Sequence, residues 1–199
     1  MEVLNIQTFF EEVRIDDGVV GIKYFTALVE PKILDSHKRS RQNLYLNALR
    51  TLPKVRVILG AYQDREVTCL ATCRQRYDVP EEKKTDVNIA VHMIDDAING
   101  RVDRIVIVSG DSDLEPAAAW IRDKYPKIKM TVYLPALEEE KKVRRNDYYE
   151  SIGASVKFIP LQLLEKHQLP NPVPTKSGVG TGFERPKSWV KHHMRTDII

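Results

Sequence analysis

Hydrophobic and polar positions follow two periods along the chain, and the clearest helical period lies between Thr85 and Gly100. Its apolar residues are spaced three and four apart, which predicts an amphipathic helix, and they are Val87, Ala90, Val91, Ile94, Ala97 and Ile98. A glycine at position 100 suits the end of such a helix. The run 104–109, Arg-Ile-Val-Ile-Val-Ser, shows no polar alternation, which predicts a parallel strand buried on both faces at the centre of a sheet.

Shorter patterned segments on both sides of this pair predict the remaining elements. Strands are predicted over 21–29, 55–60, 128–134 and 155–159. Helices are predicted over 4–13, 38–52, 137–152 and 160–167. Another helix is predicted to follow Asp113, which would be its N-cap. The stretch 61–84 shows no sustained period, so we predict a long loop there with at most one short strand.

This order of elements predicts the fold class. Strands that alternate with helices of about 10 to 15 residues indicate right-handed crossovers and a mostly parallel sheet covered on both faces. We therefore predict an α/β fold, a three-layer sandwich. From Pro170 onward the composition changes to Pro, Gly, Thr and Ser, which bury too little apolar surface to fold independently. We expect one domain over 1–169 and a Pro/Gly-rich basic tail over 170–199.

Composition narrows the class of protein. Hydrophobic residues make up 42% and charged residues 30% of the 199-residue chain, which excludes wholesale disorder. No apolar stretch reaches the roughly 18 residues of a membrane span, and residues 1–14 carry acidic side chains where a signal peptide would be basic and then apolar. We therefore expect a cytoplasmic protein with no membrane partner.

Charge and missing motifs exclude further classes. The net charge of +3 resides in the predicted tail, so nucleic-acid affinity would have to come from local basic patches. Neither a G-x-G-x-x-G after a strand nor a P-loop occurs, and no nucleotide cofactor is expected. Cys69 and Cys73 are too few for a zinc site, which leaves two ordinary thiols in a loop as the default.

Three carboxylates are the candidate chemistry. Asp111 and Asp113 follow the predicted central strand, where ligands collect in parallel sheets. Their mutual repulsion is commonly relieved by a hard divalent cation such as Mg²⁺ or Mn²⁺. Alternatively, Asp113 is only the N-cap of the next helix and Asp111 a turn residue. Asp86, in the first turn of the helix before the strand, adds a third carboxylate, with compensation of the helix dipole as its alternative role.

Several segments carry a resemblance to a known family. They are Glu82-Lys-Lys-Thr-Asp-Val-Asn-Ile-Ala-Val-His92, Asp95-Asp-Ala97 and Ile105-Val-Ile-Val-Ser-Gly-Asp-Ser-Asp-Leu114. Together they resemble the NYN domain, a branch of the PIN-like nucleases, and further similar segments extend over most of the chain. A K-x-x-D-V-x-x-A start followed by a buried strand and S-G-D-S-D is far more specific than an isolated pair of aspartates.

The resemblance implies a PIN-like, Rossmannoid fold and a Mg²⁺- or Mn²⁺-dependent endoribonuclease. Matched position by position, Asp86, Asp111 and Asp113 hold the metal or support its ligands, with Ser109 and Ser112 as hydrogen-bond donors. One alternative function is a catalytically weak or inactive RNA-binding or assembly module. Another is a small-molecule enzyme whose substrate lies in the same acidic cleft.

RNA is the implied partner, and basic and polar side chains near the motifs are candidate contacts to its phosphates. They are Arg39, Arg41, Gln42, Lys83 and Lys84, together with Ser109 and Ser112. A solvated helix face is the alternative reading of these basic residues. A homo-oligomer is left open.

The N-terminus departs from the family pattern. Members begin with a central strand that ends in D-G-x-N, whose Asp is the first metal ligand, and a segment like 4–10 follows it. That strand and its Asp do not occur here. We therefore expect the domain over 1–169 to be N-terminally incomplete, through truncation, a late start codon or loss of the ligand. Weak metal binding and poor cleavage are then expected unless upstream residues are restored.

Overall fold

The computed structural model describes residues 3–29, 37–69, 73–135, 147–176 and 182–186. In these residues the fold is mixed α/β, as predicted. The helices are α1 (Ile6–Val13), α2 (Lys38–Thr51), α3 (Thr85–Ile98), α4 (Glu115–Lys124), α5 (Asp147–Ser151) and α6 (Leu161–Lys166). The strands are β1 (Ile22–Thr26), β2 (Val55–Leu59), β3 (Ala61–Thr68), β4 (Arg76–Lys83), β5 (Arg104–Val108), β6 (Lys129–Leu134) and β7 (Ser155–Phe158).

The chain divides into two compact units. The first comprises 1–24, 28–57 and 162–199, and the second comprises 25–27 and 58–161. Strands β1 and β2 pair with each other in a two-stranded sheet. The three-layer arrangement stays a prediction, as does the division into a domain over 1–169 and a tail over 170–199. None of the described helices has both the length and the apolar character that a bilayer crossing requires.

The second unit is built around a three-stranded parallel sheet in the order β5-β6-β7. Ile105 lies opposite Met130, and Val132 lies opposite Val156, so apolar side chains face each other across the ladder. This sheet carries the larger core cluster, whose fully buried members are Leu114, Ala118, Ile121, Val132 and Tyr149.

The predicted central place of β5 is wrong for the described strands. Among the strands that the structure describes, β5 pairs only with β6, and β6 lies between β5 and β7. The burial follows this order, because residues 130–134 of β6 are all buried, whereas in β5 Ile105 and Ile107 are buried and Val108 is exposed. A continuous β-branched run indicates a strand with apolar residues on both faces, but it does not determine how many neighbours the strand has.

The predicted loop over 61–84 is also wrong. β3 and β4 form an antiparallel hairpin in which Ala61 lies opposite Lys83 and Thr68 lies opposite Arg76. Most of its side chains are exposed, and ion pairs such as Arg76–Glu66 at 3.1 Å cross the ladder. Because both faces of the hairpin meet solvent, its sequence lacks the polar and apolar alternation of a half-buried strand.

Helix α3 buries only part of its predicted apolar stripe. Met93 and Ala97 are buried. By contrast, the side chains of Val87, Val91 and Ile98 are 66%, 57% and 55% exposed, respectively. Ala97 belongs to the predicted stripe and Met93 does not, so the helix packs in the second unit through one edge of the stripe, with Ile94 partly buried against the same core.

The first unit packs α1 against α2. Asn5 caps α1, since its side-chain oxygen accepts a hydrogen bond from the Thr8 N–H at 3.2 Å. Leu46 and Leu49 of α2 are buried in one cluster with Ile6. These contacts confirm the helices predicted over 4–13 and 38–52, apart from their ends.

Part of the predicted tail is packed in the first unit. Val173 is buried in a cluster with Val3, Ala48 and Leu169, and Phe183 packs against it. Residues 173 and 183 form a short antiparallel bridge with hydrogen bonds of 2.9 and 2.8 Å. A Pro/Gly-rich segment can thus be ordered by a few apolar anchors, although it could not form a core alone. Residues 177–181 and 187–199 of the predicted tail lie outside the described residues.

The helix predicted over 137–152 is only partly within the described residues, which resume at 147 with α5. Gly153 ends α5 with a φ of 77°, as expected of a helix-terminating glycine. The Arg122 guanidinium donates to the carbonyl oxygens of Ile152 at 3.0 Å and Ile128 at 2.9 Å. This one side chain therefore ties the end of α5 to the start of β6.

Candidate metal centre

The turn after β5 positions two of the three predicted carboxylates. The backbone N–H of Asp111 donates to the Ser109 hydroxyl oxygen at 3.0 Å. The Asp111 carboxylate in turn accepts the N–H of Asp113 at 3.0 Å and so caps the 3₁₀ turn Ser112–Leu114. The predicted capping role of Asp113 is therefore wrong, because Asp111 is the cap and Asp113 lies inside the first turn.

A buried tyrosine holds this turn through a hydrogen bond. The Tyr149 hydroxyl donates to the backbone carbonyl oxygen of Asp111 at 3.0 Å, and the Tyr149 side chain is fully buried. Burial, with the negative charges of Glu115 and Asp111, raises the pKa of Tyr149 to about 12. The hydroxyl thus stays protonated at neutral pH and remains a hydrogen-bond donor to the turn.

The third carboxylate comes from the start of α3. Lys84 adopts the left-handed conformation with a φ of 73°, which turns the chain from β4 into the helix. The Thr85 hydroxyl donates to the Glu82 carboxylate at 2.5 Å. Asp86 follows in the first turn of α3, as predicted.

The three carboxylates converge. Asp86, Asp111 and Asp113 are all exposed, and each offers one oxygen within 4.8 Å of the oxygens offered by the other two. Two ligands on opposite sides of Mg²⁺ would lie about 4.2 Å apart, since each Mg–O bond is about 2.1 Å. The spacing and the all-oxygen donor set therefore fit one hard divalent cation.

The electrostatics of the cluster agree with the geometry. The pKa of Asp86 is raised, first by partial burial and then by the negative charges of Asp111, Asp113 and Glu82. Like charges this close make the fully ionised cluster unfavourable without a counterion. A bound cation would reverse the sign of that interaction.

Four other predicted site residues belong to the second unit. Ser109 and Ser112 lie beside Asp111 along the chain, and Lys83 and Lys84 come shortly before Asp86. Ser109 accepts the N–H of Asp111, and Ser112 is exposed in the 3₁₀ turn. Lys83 forms an ion pair with Glu81 at 2.9 Å. Lys84 precedes α3 and is exposed.

The remaining predicted contacts belong to the first unit. Arg39 and Arg41 lie on α2 and are half-buried. Gln42 has a structural partner, because its side-chain oxygen accepts the backbone N–H of Val29 at 2.8 Å.

Sequence reasoning assigned no role to Glu82 or to the Tyr149 hydrogen bond. Glu82 lies four residues before Asp86, inside the motif segment, and a fourth nearby carboxylate could have been inferred from that spacing. Tyr149 lies in the helix predicted over 137–152 and is buried. Its bond to a residue 38 positions away leaves no local signal.

Acidic side chains cluster after a parallel strand in a mixed α/β chain, which is the arrangement that the resemblance to the PIN-like class implies. The NYN domain family matches residues 8–153, most of the chain, and the chain belongs to that family. Family membership suggests an RNA substrate and a divalent metal.

One curated relative is named as a monooxygenase and not as a nuclease. The chain is 35% identical to "6-hydroxy-3-succinoylpyridine 3-monooxygenase HspA" of Pseudomonas putida (strain DSM 28022 / S16). The match covers 58% of this chain and 41% of the relative, so the chain spans less than half of that protein's length.

The raised pKa of Asp86 predicts a pH-dependent stability of the metal-free protein. A carboxyl whose folded pKa exceeds its ordinary value of 3.8 binds its proton more tightly in the folded state. The stability it contributes is present below that value and is lost as the pH rises through the raised pKa. We therefore expect Asp86→Asn, in EDTA at neutral pH, to unfold at a higher temperature than the unsubstituted protein.

The same measurement repeated towards about pH 4 tests the sign of this linkage. The difference in unfolding midpoint between Asp86→Asn and the unsubstituted protein should shrink, because the carboxyl becomes neutral. Asp103→Asn, at the opposite end of β5, is the control. Equal midpoints for Asp86→Asn and the unsubstituted protein at every pH would contradict the repulsion inferred for the cluster.

Proposed function

We propose that this chain is a Mg²⁺- or Mn²⁺-dependent endoribonuclease of the NYN type, which hydrolyses phosphodiester bonds in RNA. The observation that carries the proposal is the convergence of Asp86, Asp111 and Asp113 within 4.8 Å at the end of β5. Membership of the NYN domain family supports it independently of that geometry.

The three carboxylates would hold the metal, and their supports would keep them in place. Asp111 is held through its backbone, by the Tyr149 hydroxyl on its carbonyl oxygen and by Ser109 on its N–H. Such a site needs little rearrangement on binding, which favours tight positioning of a reacting phosphate. A bound divalent ion supplies Lewis-acid polarisation of the phosphate and a lowered pKa of its own water.

Charge determines how RNA would approach. The acidic cluster repels phosphate unless a cation neutralises it, so RNA binding at the cluster should require the metal. Lys83 and Lys84 immediately precede Asp86 along the chain, and we propose that they contact phosphates near the cleaved bond, with the exposed Ser112 hydroxyl as a donor. Arg39, Arg41 and Gln42 are proposed as further RNA contacts, on the first unit.

The test is cleavage of structured and single-stranded RNA by the full chain with Mg²⁺, Mn²⁺ or EDTA. We expect internal cleavage with Mn²⁺ or Mg²⁺ and none in EDTA, with activity restored when excess metal is added back. RNA that stays intact with every divalent ion, while the protein binds Mn²⁺, would contradict the nuclease proposal.

Two other candidate functions predict different outcomes from the nuclease proposal. Salt-sensitive RNA binding without cleavage would favour an RNA-binding or assembly module. The curated relative's name favours the third candidate, a small-molecule enzyme using the acidic cleft. Consumption of 6-hydroxy-3-succinoylpyridine by the chain, with O₂ and an electron donor supplied and without RNA cleavage, would replace the nuclease proposal.

A further inference from the structure

The β3–β4 hairpin lacks a covered face. Among the described strands, β3 and β4 pair only with each other, and no hairpin residue belongs to a core cluster of the described residues. A two-stranded hairpin is marginally stable in water unless further strands or a packed face support it. A partner that covers one face would therefore stabilise this hairpin.

The two faces of the hairpin differ in their side chains. Residues opposite each other in the ladder share a face, and so do residues two apart along one strand. The odd-numbered residues of 61–67 and 77–83 therefore form one face, which we call the mixed face. The even-numbered residues of 62–68 and 76–82 form the other, which we call the acidic face.

The mixed face is apolar near the turn of the hairpin. Val67 lies opposite Tyr77, and Val79 follows on the same face. The side chains of Tyr77 and Val79 are 52% and 38% exposed. Adjacent exposed apolar side chains with polar residues beside them are typical of an interaction surface.

The mixed face carries charges of both signs near the base of the hairpin. A Glu81 carboxylate oxygen lies 3.9 Å from an Arg65 nitrogen, and the other oxygen lies 2.9 Å from the Lys83 Nζ. Exposed ion pairs of this kind contribute little stability on their own, so they can exchange partners at low cost. A face with an apolar half and both signs of charge is complementary to another copy of itself.

The acidic face has the opposite property. It carries one guanidinium, on Arg76, against four carboxylates, which belong to Asp64, Glu66, Asp78 and Glu82. Two such faces would repel each other. An assembly of identical chains would therefore leave this side of the hairpin in solvent.

We propose that the mixed face of the hairpin is the interface of a homodimer of this chain. Two copies stack face to face across a two-fold axis that runs along the strands, so β3 of each copy lies over β4 of the other. Tyr77 then covers Val67 of the partner subunit. Arg65 reaches Glu81 of the partner subunit across the roughly 10 Å that separates stacked sheets.

The size of the face determines how strong the dimer is. Eight residues per strand make the hairpin about 27 Å long and two strands make it roughly 10 Å wide, which is far below the about 800 Å² per partner of a standard interface. We therefore expect a weak dimer that dissociates on dilution. The interface does not involve Asp86, Asp111 or Asp113, so the inference is independent of RNA cleavage.

Sedimentation equilibrium of the full chain over a range of concentrations tests the proposal. We expect a monomer–dimer equilibrium. Arg65→Glu and Glu81→Arg should each weaken the dimer at least about tenfold, because each replaces attraction by repulsion at both symmetry-related contacts. An equimolar mixture of these two variants should form dimers again, since opposite charges then meet at both contacts. Charge pairing within one hairpin could not produce that rescue.

The matched control makes the same charge changes on the acidic face. Glu66→Arg and Arg76→Glu alter an ion pair whose nitrogen and oxygen lie 3.1 Å apart. Both side chains reach solvent in the proposed dimer, so each control variant should dimerise within about twofold of the unsubstituted chain. Circular dichroism of all four variants checks that they remain folded.

Each of four results would overturn the proposal. One is an unsubstituted chain that stays monomeric up to about 1 mM. Another is a dimer that the mixed-face variants do not weaken, which would place the interface elsewhere. The third is an equal weakening by the acidic-face variants. The last is a mixture of folded Arg65→Glu and Glu81→Arg chains that stays monomeric.

Discussion

Asp111→Asn is expected to reduce Mn²⁺-dependent RNA cleavage by at least about 100-fold and to weaken Mn²⁺ binding. The substitution removes one of three negative charges that converge within 4.8 Å. It also leaves the local fold almost unchanged, because an asparagine oxygen can accept the Asp113 N–H that the carboxylate now accepts at 3.0 Å. The loss would therefore report on charge and not on unfolding.

The matched control is Asp103→Asn. Asp103 precedes β5 as Asp111 follows it, so both variants lose one carboxylate beside the same strand. Asp103 lies outside the cluster, and we expect Asp103→Asn to retain cleavage and Mn²⁺ binding within about twofold. Single-turnover cleavage and Mn²⁺ titration would be measured on both variants.

The outcomes separate the candidate functions. Cleavage that survives Asp111→Asn would exclude the carboxylate cluster as the catalytic site. Equal losses in both variants would indicate a general loss of structure, because removing a carboxylate by itself weakens the repulsion of RNA phosphates. Lost cleavage that is partly restored by a higher Mn²⁺ concentration would assign Asp111 to metal binding, which is the expected result.

Thermal unfolding provides an internal check on these variants. In EDTA, Asp111→Asn should be at least as stable as the unsubstituted protein, since it relieves repulsion within the cluster and keeps the cap. A large fall in the unfolding midpoint would mean that lost cleavage reflects lost structure.

The carboxylate cluster could be predicted from sequence because its signals are local. Asp111 and Asp113 directly follow a strand that the apolar run identifies, and Asp86 opens the helix before it. Their spatial convergence then follows from one helix–strand crossover. The resemblance to the NYN domain added the expectation that these three aspartates act together.

The features that sequence reasoning missed depend on long-range packing. The bond between Tyr149 and the Asp111 carbonyl joins positions 38 residues apart, and no period encodes it. The edge position of β5 depends on which strands pair, which a run of apolar residues does not specify. In α3 only tertiary contacts decide that Met93 and Ala97 are buried while Val87, Val91 and Ile98 are exposed.

The hairpin β3–β4 was missed for a different reason. Its strands expose both faces, so charged residues occupy positions that would alternate in a half-buried sheet. Diagonal cross-strand pairs such as Arg76–Glu66 help to hold it, and such charge pairs are a weaker sequence signal than an apolar period.

Leu114→Ala is expected to lower the free energy of unfolding by about 2–5 kcal/mol. Leu114 is fully buried, directly follows Asp113 and packs in the core cluster of the second unit. Truncation leaves a cavity beneath the turn that carries two of the carboxylates. Urea unfolding would measure the loss, with Leu59→Ala as a matched control, because Leu59 is 41% exposed and should cost much less.

A second comparison separates anchoring of the turn from general destabilisation. Ile121→Ala removes a fully buried side chain of α4, in the same core cluster but seven residues beyond Leu114. It should cost a similar free energy of unfolding, yet weaken Mn²⁺ binding less than Leu114→Ala, measured where both variants are folded. If the two variants lose Mn²⁺ affinity equally, Leu114 contributes to the stability of the fold and not specifically to the position of the carboxylates. A larger loss for Leu114→Ala would show that core packing beneath the turn sets the spacing of the carboxylates above it.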